Sequence, residues 1–265
     1  MLGTVTTLLR YPVKSMLGED LRPEADLTPA GLDGDRGRAL IHTATCRVVS
    51  AKNPRLWRAM LTLRAAGAPT VTITFPDGTA AASTDPGIDE RLSGFLGQPV
   101  TLSATPPPGA QMEHASPGDV IRYGVAAQVR TELRPLGTGT FFNFAALHLI
   151  TTSTLASAGA DPVRYRPNII VDTPGQDGYP ENDWLDRELA IGETVLRVIA
   201  RTPRCAVPTL QHGTELGKDP AALRVLAERN RVPAFGGRGP EPCAGVYAQV
   251  VRPGRIGVAD PVQFA

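Results

Sequence analysis

Residues 193–209, "ETVLRVIARTPRCAVPT", decide how the chain folds. Val195 to Ala200 are β-branched or apolar at all but one position, which suits a strand. The strand is then broken by a turn that holds Pro203 and a cysteine. Cys205 has Arg204 beside it and Arg201 four positions earlier. Positive neighbours favour a thiolate, and a thiolate is both a nucleophile and a soft metal ligand. A buried, inert cysteine is the plainer reading of the same turn.

Strand-like runs of this kind recur on both sides. In the first half, "TVTTLLRYPVKS" opens as a strand, "RALIHTATCRVVSA" reads as a hairpin, and "TVTITFPDGTAA" reads as a second hairpin turning at Asp77-Gly78. Asn53-Pro54 has the residue types of a helix start, and a short helix is expected over "GIDERLSGFLG". "SATPPPGAQMEHASPGD" breaks all periodicity and reads as a loop or lobe boundary. In the second half, "FFNFAALHLITTSTLA", "NIIVD" and "AGVYAQVV" add apolar strands, and Asp219-Pro220 opens a helix, "PAALRVLAERNR". Many short strands with few helices argue for barrels and against a parallel nucleotide-binding sheet. The expected fold is α+β and β-rich. An N-terminal β-barrel-like lobe with short helices (1–104) leads through a Pro-rich connection (105–117) into a second β-barrel domain (118–265).

With 27 Lys and Arg against 26 Asp and Glu in 265 residues, the formal charge is +1. No excess of charge points to nucleic acid or an anionic membrane. No apolar run reaches the roughly 18 residues a membrane span needs, so a cytoplasmic protein is expected. Three dispersed cysteines make no disulfide framework or zinc motif, and Cys46 and Cys243 read as packing residues. His42 and His148 read as strand or core histidines.

In "YRPNIIVD", Arg166 and Asn168 precede an apolar strand on alternate positions. A guanidinium and an amide so placed suit a planar heterocycle or a phosphate, and an arginine in a surface ion pair suits the pattern equally. Lys14 and Ser15 end "YPVKS", and Arg36 lies in the Gly-rich "GLDGDRG". Each alone reads as a solvated loop residue.

The ordered set "YPVKS", "GDRGRALI", "VSAKNPRL", "RPNIIV", "ENDWLDRELAIGE", "RTPRCAVPT" and "RPGRIGVADPV" resembles the MOSC family. Within it, the chain resembles the subgroup with an N-terminal β-barrel domain that includes the mitochondrial amidoxime-reducing component and its bacterial relatives. The resemblance implies a molybdenum–molybdopterin cofactor with Cys205 as the metal's thiolate ligand, and Arg204 and Arg201 favouring the thiolate. It implies that Arg166 and Asn168 hold the pterin and its phosphate, helped by Lys14, Ser15 and Arg36 from the N-terminal lobe. Asn143 and Phe144 match a loop that touches the cofactor in relatives, although the residue types differ, so contact through the backbone is expected. Pro203 stands where relatives can have a serine.

The activity so implied is reduction of N-hydroxylated or N-oxide compounds. Electrons would come from a separate protein of ferredoxin or cytochrome type, because no ferredoxin cysteine run follows. Protons would come from solvent or an acid such as Asp183. The alternative is a cofactor or sulfur carrier with a persulfide on Cys205.

Overall fold

A computed structural model of the chain describes residues 1–137, 139–235 and 239–265. The apolar run before Cys205 is a strand, Thr194–Pro203, in which Thr194, Leu196, Val198, Ala200 and Thr202 are buried while the intervening side chains are not. This period of two comes from the pleat, which sends successive side chains to opposite faces. The inward set belongs to a closed barrel. Around it run Leu147–Thr151, Ile169–Asp172, Gly3–Arg10, Pro261–Phe264, Glu188–Ile191, Thr194–Pro203 and Pro240–Arg252, the last pairing back onto Leu147–Thr151. Closure removes exposed strand edges. Val5, Leu8, Leu149, Val171, Leu196 and Val246 are among the side chains that fill the interior.

Leu147–Thr151 and Ile169–Asp172 run parallel, so the chain needs a crossover between them. The helix Thr152–Ala158 supplies it, capped by the Thr151 hydroxyl, which accepts from the Thr154 amide at 3.1 Å.

Other strands form a five-stranded sheet, Val100–Ser103, Ala39–His42, Arg47–Val48, Gln111–Ala115 and Thr131–Pro135, and two three-stranded ones, Arg64–Ala66, Thr72–Thr74 and Ala80–Ala82, and Gly254–Gly257, Glu24–Thr28 and Gly31–Leu32. Both expected hairpins are present as antiparallel pairs. Met16, Leu40, Trp57, Met60, Ile73 and Leu92 pack at the centre of this lobe.

The sheets do not separate at the Pro-rich stretch. Gly3–Arg10 lies in the C-terminal barrel, Gln111–Ala115 and Thr131–Pro135 lie in the N-terminal sheet, and Gly254–Gly257 pairs with Glu24–Thr28. The stretch is itself only partly a loop. Gln111–Ala115 is a strand, and Pro117–Tyr123 is a helix capped by Ser116, with Pro117 in its first turn. Asn53 makes no side-chain cap; its amide donates instead to Glu113 Oε2 at 2.6 Å, tying the helix start to the strand Gln111–Ala115.

Candidate active site in the cleft between the two lobes

Thr202 is the last inward side chain of Thr194–Pro203, so Pro203, Arg204 and Cys205 leave the barrel at its mouth. Two adjoining cavities open there. The inner one spans about 750 Å³ including its open mouth and is lined in part by Lys14, Arg36, Lys52, Arg164, Arg166 and Arg204, with no carboxylate among its lining residues. The outer one spans about 1140 Å³ including its open mouth and is lined in part by Phe144, Phe235, Tyr247 and Met112 and in part by Lys52, Arg134 and Arg204. Cys205, Arg204, Lys52, Asn143, Pro203 and Tyr247 border both. The half-buried Cys205 thiol therefore stands at the junction.

Lys14, Arg36, Arg166 and Arg204 are each held by protein contacts. Lys14 is buried, and its Nζ donates to the Phe141 carbonyl and to Asn143 Oδ1, both at 2.6 Å. Burial, with Lys52, Arg36 and Arg166 nearby, drives its ammonium well below the usual lysine range. Arg36 pairs with buried Asp35 and lies over the Tyr11 ring at 5.2 Å, while Arg166 lies over the same ring at 4.3 Å. Two like charges thus share one aromatic ring. Burial first, and Arg36 second, lower Arg166 to about 10. Its Nη1 donates to the Met16 carbonyl, but Nη2 is buried and has no partner among the described residues.

Arg204 is clamped by the Tyr165 carbonyl at 2.9 Å, the Ala244 carbonyl and His148 Nε2. Burial and Arg204 push His148 well below the usual histidine range, which keeps Nε2 free to accept. Burial also lowers the Lys52 ammonium, while Cys205 works in the opposite sense.

Ser15, Arg36 and Arg166 share a backbone feature: φ is 67°, 49° and 55°, in the left-handed region disfavoured for residues with a Cβ. Each costs about 1–2 kcal/mol, and three of the six such non-glycine residues among the described ones line this one cavity. Surrounding contacts hold the strain in place. Ser15 Oγ accepts from the Ala51 amide at 3.1 Å, and Arg36 is fastened by Asp35.

Lys14, Ser15, Arg36, Asn143, Arg166, Arg204 and Cys205, which the family resemblance groups and sequence spacing alone does not, line one cavity. Several expectations change. Asn168 is not a cleft residue: it is fully buried, donates to the Leu9 carbonyl at 3.1 Å and accepts from the His148 amide at 3.2 Å and from Arg36 at 3.4 Å. The strand begins only at Ile169, and the turn at Arg166 cancels the simple alternation between these two residues. Phe144 faces the outer cavity, not the inner one, and Asn143 acts through its side chain as well as its position. Arg201 turns away from the thiol to the carbonyls of Asn182 and Pro233. Asp183 is exposed and lines neither cavity. Cys46 is exposed in a hairpin turn, so it does no packing, whereas Cys243 is buried and its thiol is pushed up to about 12.

Sequence reasoning missed Lys52. Its only local signal is a lysine directly before the Asn53-Pro54 helix start. His148 is a core histidine and a cleft residue at once.

Family models match both parts of the chain: the MOSC N-terminal beta barrel domain over residues 2–99 and the MOSC domain over residues 142–263. The chain belongs to the MOSC family. MOSC domains are associated with the molybdenum cofactor. Among solved structures, the YuaD protein from Bacillus subtilis is 12% identical with a TM-score of 0.42, over 99% of this chain and 94% of that one. YiiM from Geobacillus stearothermophilus is 14% identical with a TM-score of 0.31, over 51% and 67%. No curated protein matches the chain. No helix is long and apolar enough to cross a membrane among the described residues.

Proposed function

We propose that this MOSC protein binds a molybdenum–molybdopterin cofactor in the inner cavity and reduces N-hydroxylated or N-oxide compounds with electrons from a separate protein. The observation that carries the reading is the pairing of a half-exposed thiol, Cys205, with a carboxylate-free cavity of buried cations. Such a cavity suits an anion of several charges, because burial first, and the neighbouring cations second, disfavour the charged forms of Lys14 and Arg166.

The donor set fits the cofactor. Arg166 Nη2 and Thr202 Oγ1 are buried on the cavity wall and have no partner among the described residues, as donors waiting for a ligand would be. Among the described residues no group of three or more His, Cys, Asp or Glu side chains converges, so a metal here would bring its other ligands with it. Lys14, Arg36 and Arg166 would hold the phosphate and pterin, and Cys205 would bind the metal. The bound cofactor would supply two-electron redox chemistry and accept oxygen from the substrate.

Reducing a hydroxylamine to an amine consumes two electrons and two protons and releases water. Lys52, which borders both cavities together with Cys205, would supply a proton from its ammonium at that junction. Arg204, locked by His148 and two carbonyls, keeps the turn that carries the thiol in place.

Protein from a molybdate-replete host is the test. Metal analysis is expected to find molybdenum that is lost in Cys205→Ser and retained in Cys46→Ser and Cys243→Ser, since a hydroxyl cannot replace a thiolate on a soft metal. Dye-driven reduction of a hydroxylamine should vanish with the metal. Equal molybdenum in parent and Cys205→Ser would overturn the ligand assignment. The accessible thiol also suits a sulfur carrier. Loaded protein that reduces none of several N-hydroxylated compounds, yet gains one sulfur at Cys205 from a cysteine desulfurase, would establish that reading instead.

A further inference from the structure

Between the five-stranded sheet and the barrel the chain passes through "FFNF", residues 141–144, whose side chains divide their contacts between the two lobes. Phe141 is buried with Ala39, Val48 and Met112 of the five-stranded sheet. The Arg36 guanidinium lies 5.9 Å from the Phe142 ring centroid. Asn143 Oδ1 accepts from Lys14 Nζ, and the Phe144 ring meets Phe235 at 4.6 Å and Tyr247 at 5.5 Å between centroids. Lys14 and Arg36 line the inner cavity, whereas Phe144 lines the outer one. Among the described residues no backbone–backbone hydrogen bond involves residues 141–146, while the Phe141 carbonyl accepts from Lys14 Nζ at 2.6 Å. Irregular backbone without hydrogen bonds of its own opens at low cost, so what Lys14 does matters to the whole segment.

A neutral amine has two N–H donors, and the Phe141 and Asn143 oxygens take two from Lys14; an ammonium has a third, available to an anion in the inner cavity. Burial and the neighbouring cations work against the ammonium. An anion beside it works the other way, and a charged donor makes the stronger bonds to those two oxygens. We propose that residues 141–144 form a strap whose order is coupled through Lys14 to anion binding in the inner cavity, so that an anion there fixes Phe144 at the wall of the outer one. This rests on the function proposed above only in taking the inner cavity as an anion site; which anion binds does not enter. Coupling of this kind is reciprocal, so loosening the strap must weaken the anion by the same factor.

Pyrophosphate is the probe, on the full-length chain made in a host that lacks molybdopterin. At saturation, hydrogen–deuterium exchange at the amides of residues 141–146 is expected to slow about fivefold or more. The Asp77-Gly78 turn, which lines neither cavity, should not change. Phe144→Ala alters a side chain outside the inner cavity, yet it should weaken pyrophosphate about fivefold by calorimetry. Lys14→Met should weaken pyrophosphate about tenfold by itself, and adding Phe144→Ala to it should then change the affinity no further. The exchange and Phe144→Ala measurements decide the proposal even where the Lys14 variant misfolds. Unchanged exchange, unchanged affinity in Phe144→Ala, an equal effect of Phe144→Ala with and without Lys14, or no binding of pyrophosphate by the parent overturns the strap. Protein from a molybdate-replete host separates this outcome from the cofactor reading. A chain that contains no molybdenum there but shows the slowed strap in pyrophosphate loses that reading and keeps this one. A molybdenum-loaded chain whose strap exchanges as fast as in metal-free protein does the reverse.

Discussion

Arg166 shows how much one residue type can carry. Its guanidinium reaches the Met16 carbonyl with one nitrogen, lies on the Tyr11 ring and leaves Nη2 for a ligand, all from a backbone at φ 55°. Lysine keeps the charge and has no planar fork, so Arg166→Lys should bind cofactor about ten- to a hundredfold more weakly, measured as pterin retained after dilution. Undiminished retention would place Arg166 outside the binding set. A second residue governs acid stability. His212 is buried, its Nδ1 donates to the Leu210 carbonyl at 3.0 Å, and Nε2 has no partner among the described residues. Burial lowers it to about 4. The unfolded chain takes up a proton near pH 6.5 and the folded one does not until about 4, so stability falls as pH drops through that window, by roughly 3 kcal/mol in full. His212→Asn retains a donor for Leu210 but cannot titrate. Denaturant unfolding at pH 7.5 and pH 5 should therefore show a pH-dependent loss about 2 kcal/mol smaller in the variant. Equal losses would mean that His212 is protonated in the fold.

At the scale of elements, the strand Pro240–Arg252 does two jobs: it closes the barrel and holds the cleft side chains in register. Gly245 makes this possible. It sits at φ +77°, and a Cβ there would meet His148 Nε2 at 2.3 Å and the Leu149 carbonyl at 2.3 Å. Gly245→Ala should cost at least about 2 kcal/mol of stability, and because His148 must move, Arg204 should lose its clamp and bound cofactor should fall as well. A variant as stable as the parent would show that the strand can shift without consequence. Elements of this kind were legible where the local pattern carries the cause. The inward alternation of Thr194–Pro203, the Asp77-Gly78 hairpin and the turn that exposes Cys205 all follow from side-chain type and spacing. Arg166 and Asn168 were only half legible, since a left-handed arginine leaves no mark in the sequence and Asn168 is satisfied by Leu9 and His148, far away along the chain. Lys52 was illegible for the same reason. Its importance comes from what lies across the cleft.

The molecule as a whole hides its charge and its topology from any linear reading. A formal charge of +1 conceals a carboxylate-free cavity because the acids that balance its cations, apart from Asp35 and Asp219, lie elsewhere. The division of the chain at a Pro-rich stretch likewise conceals that Gly3–Arg10 is a barrel strand. It pairs antiparallel with Ile169–Asp172 on one side and with Pro261–Phe264 on the other, and it buries Val5 and Leu8 in the barrel core. Residues 118–265 alone would therefore lack a staple. Two strand edges would stand open, each with unpaired amides and carbonyls, and the apolar interior would be exposed along the gap. This fragment should be insoluble or molten, without a cooperative thermal transition. Supplying the missing strand is the decisive control, because misfolding by itself could have many causes. A peptide of residues 1–12 added in trans, or the same segment joined by a flexible linker to the fragment's C-terminus, should restore cooperative unfolding. Peptides with Val5 and Leu8 replaced by Asp should not, since the pairing would bury two charges in an apolar core. A fragment that folds cooperatively without the peptide would mean that the barrel closes around the gap, and that the N-terminal strand serves the cleft alone.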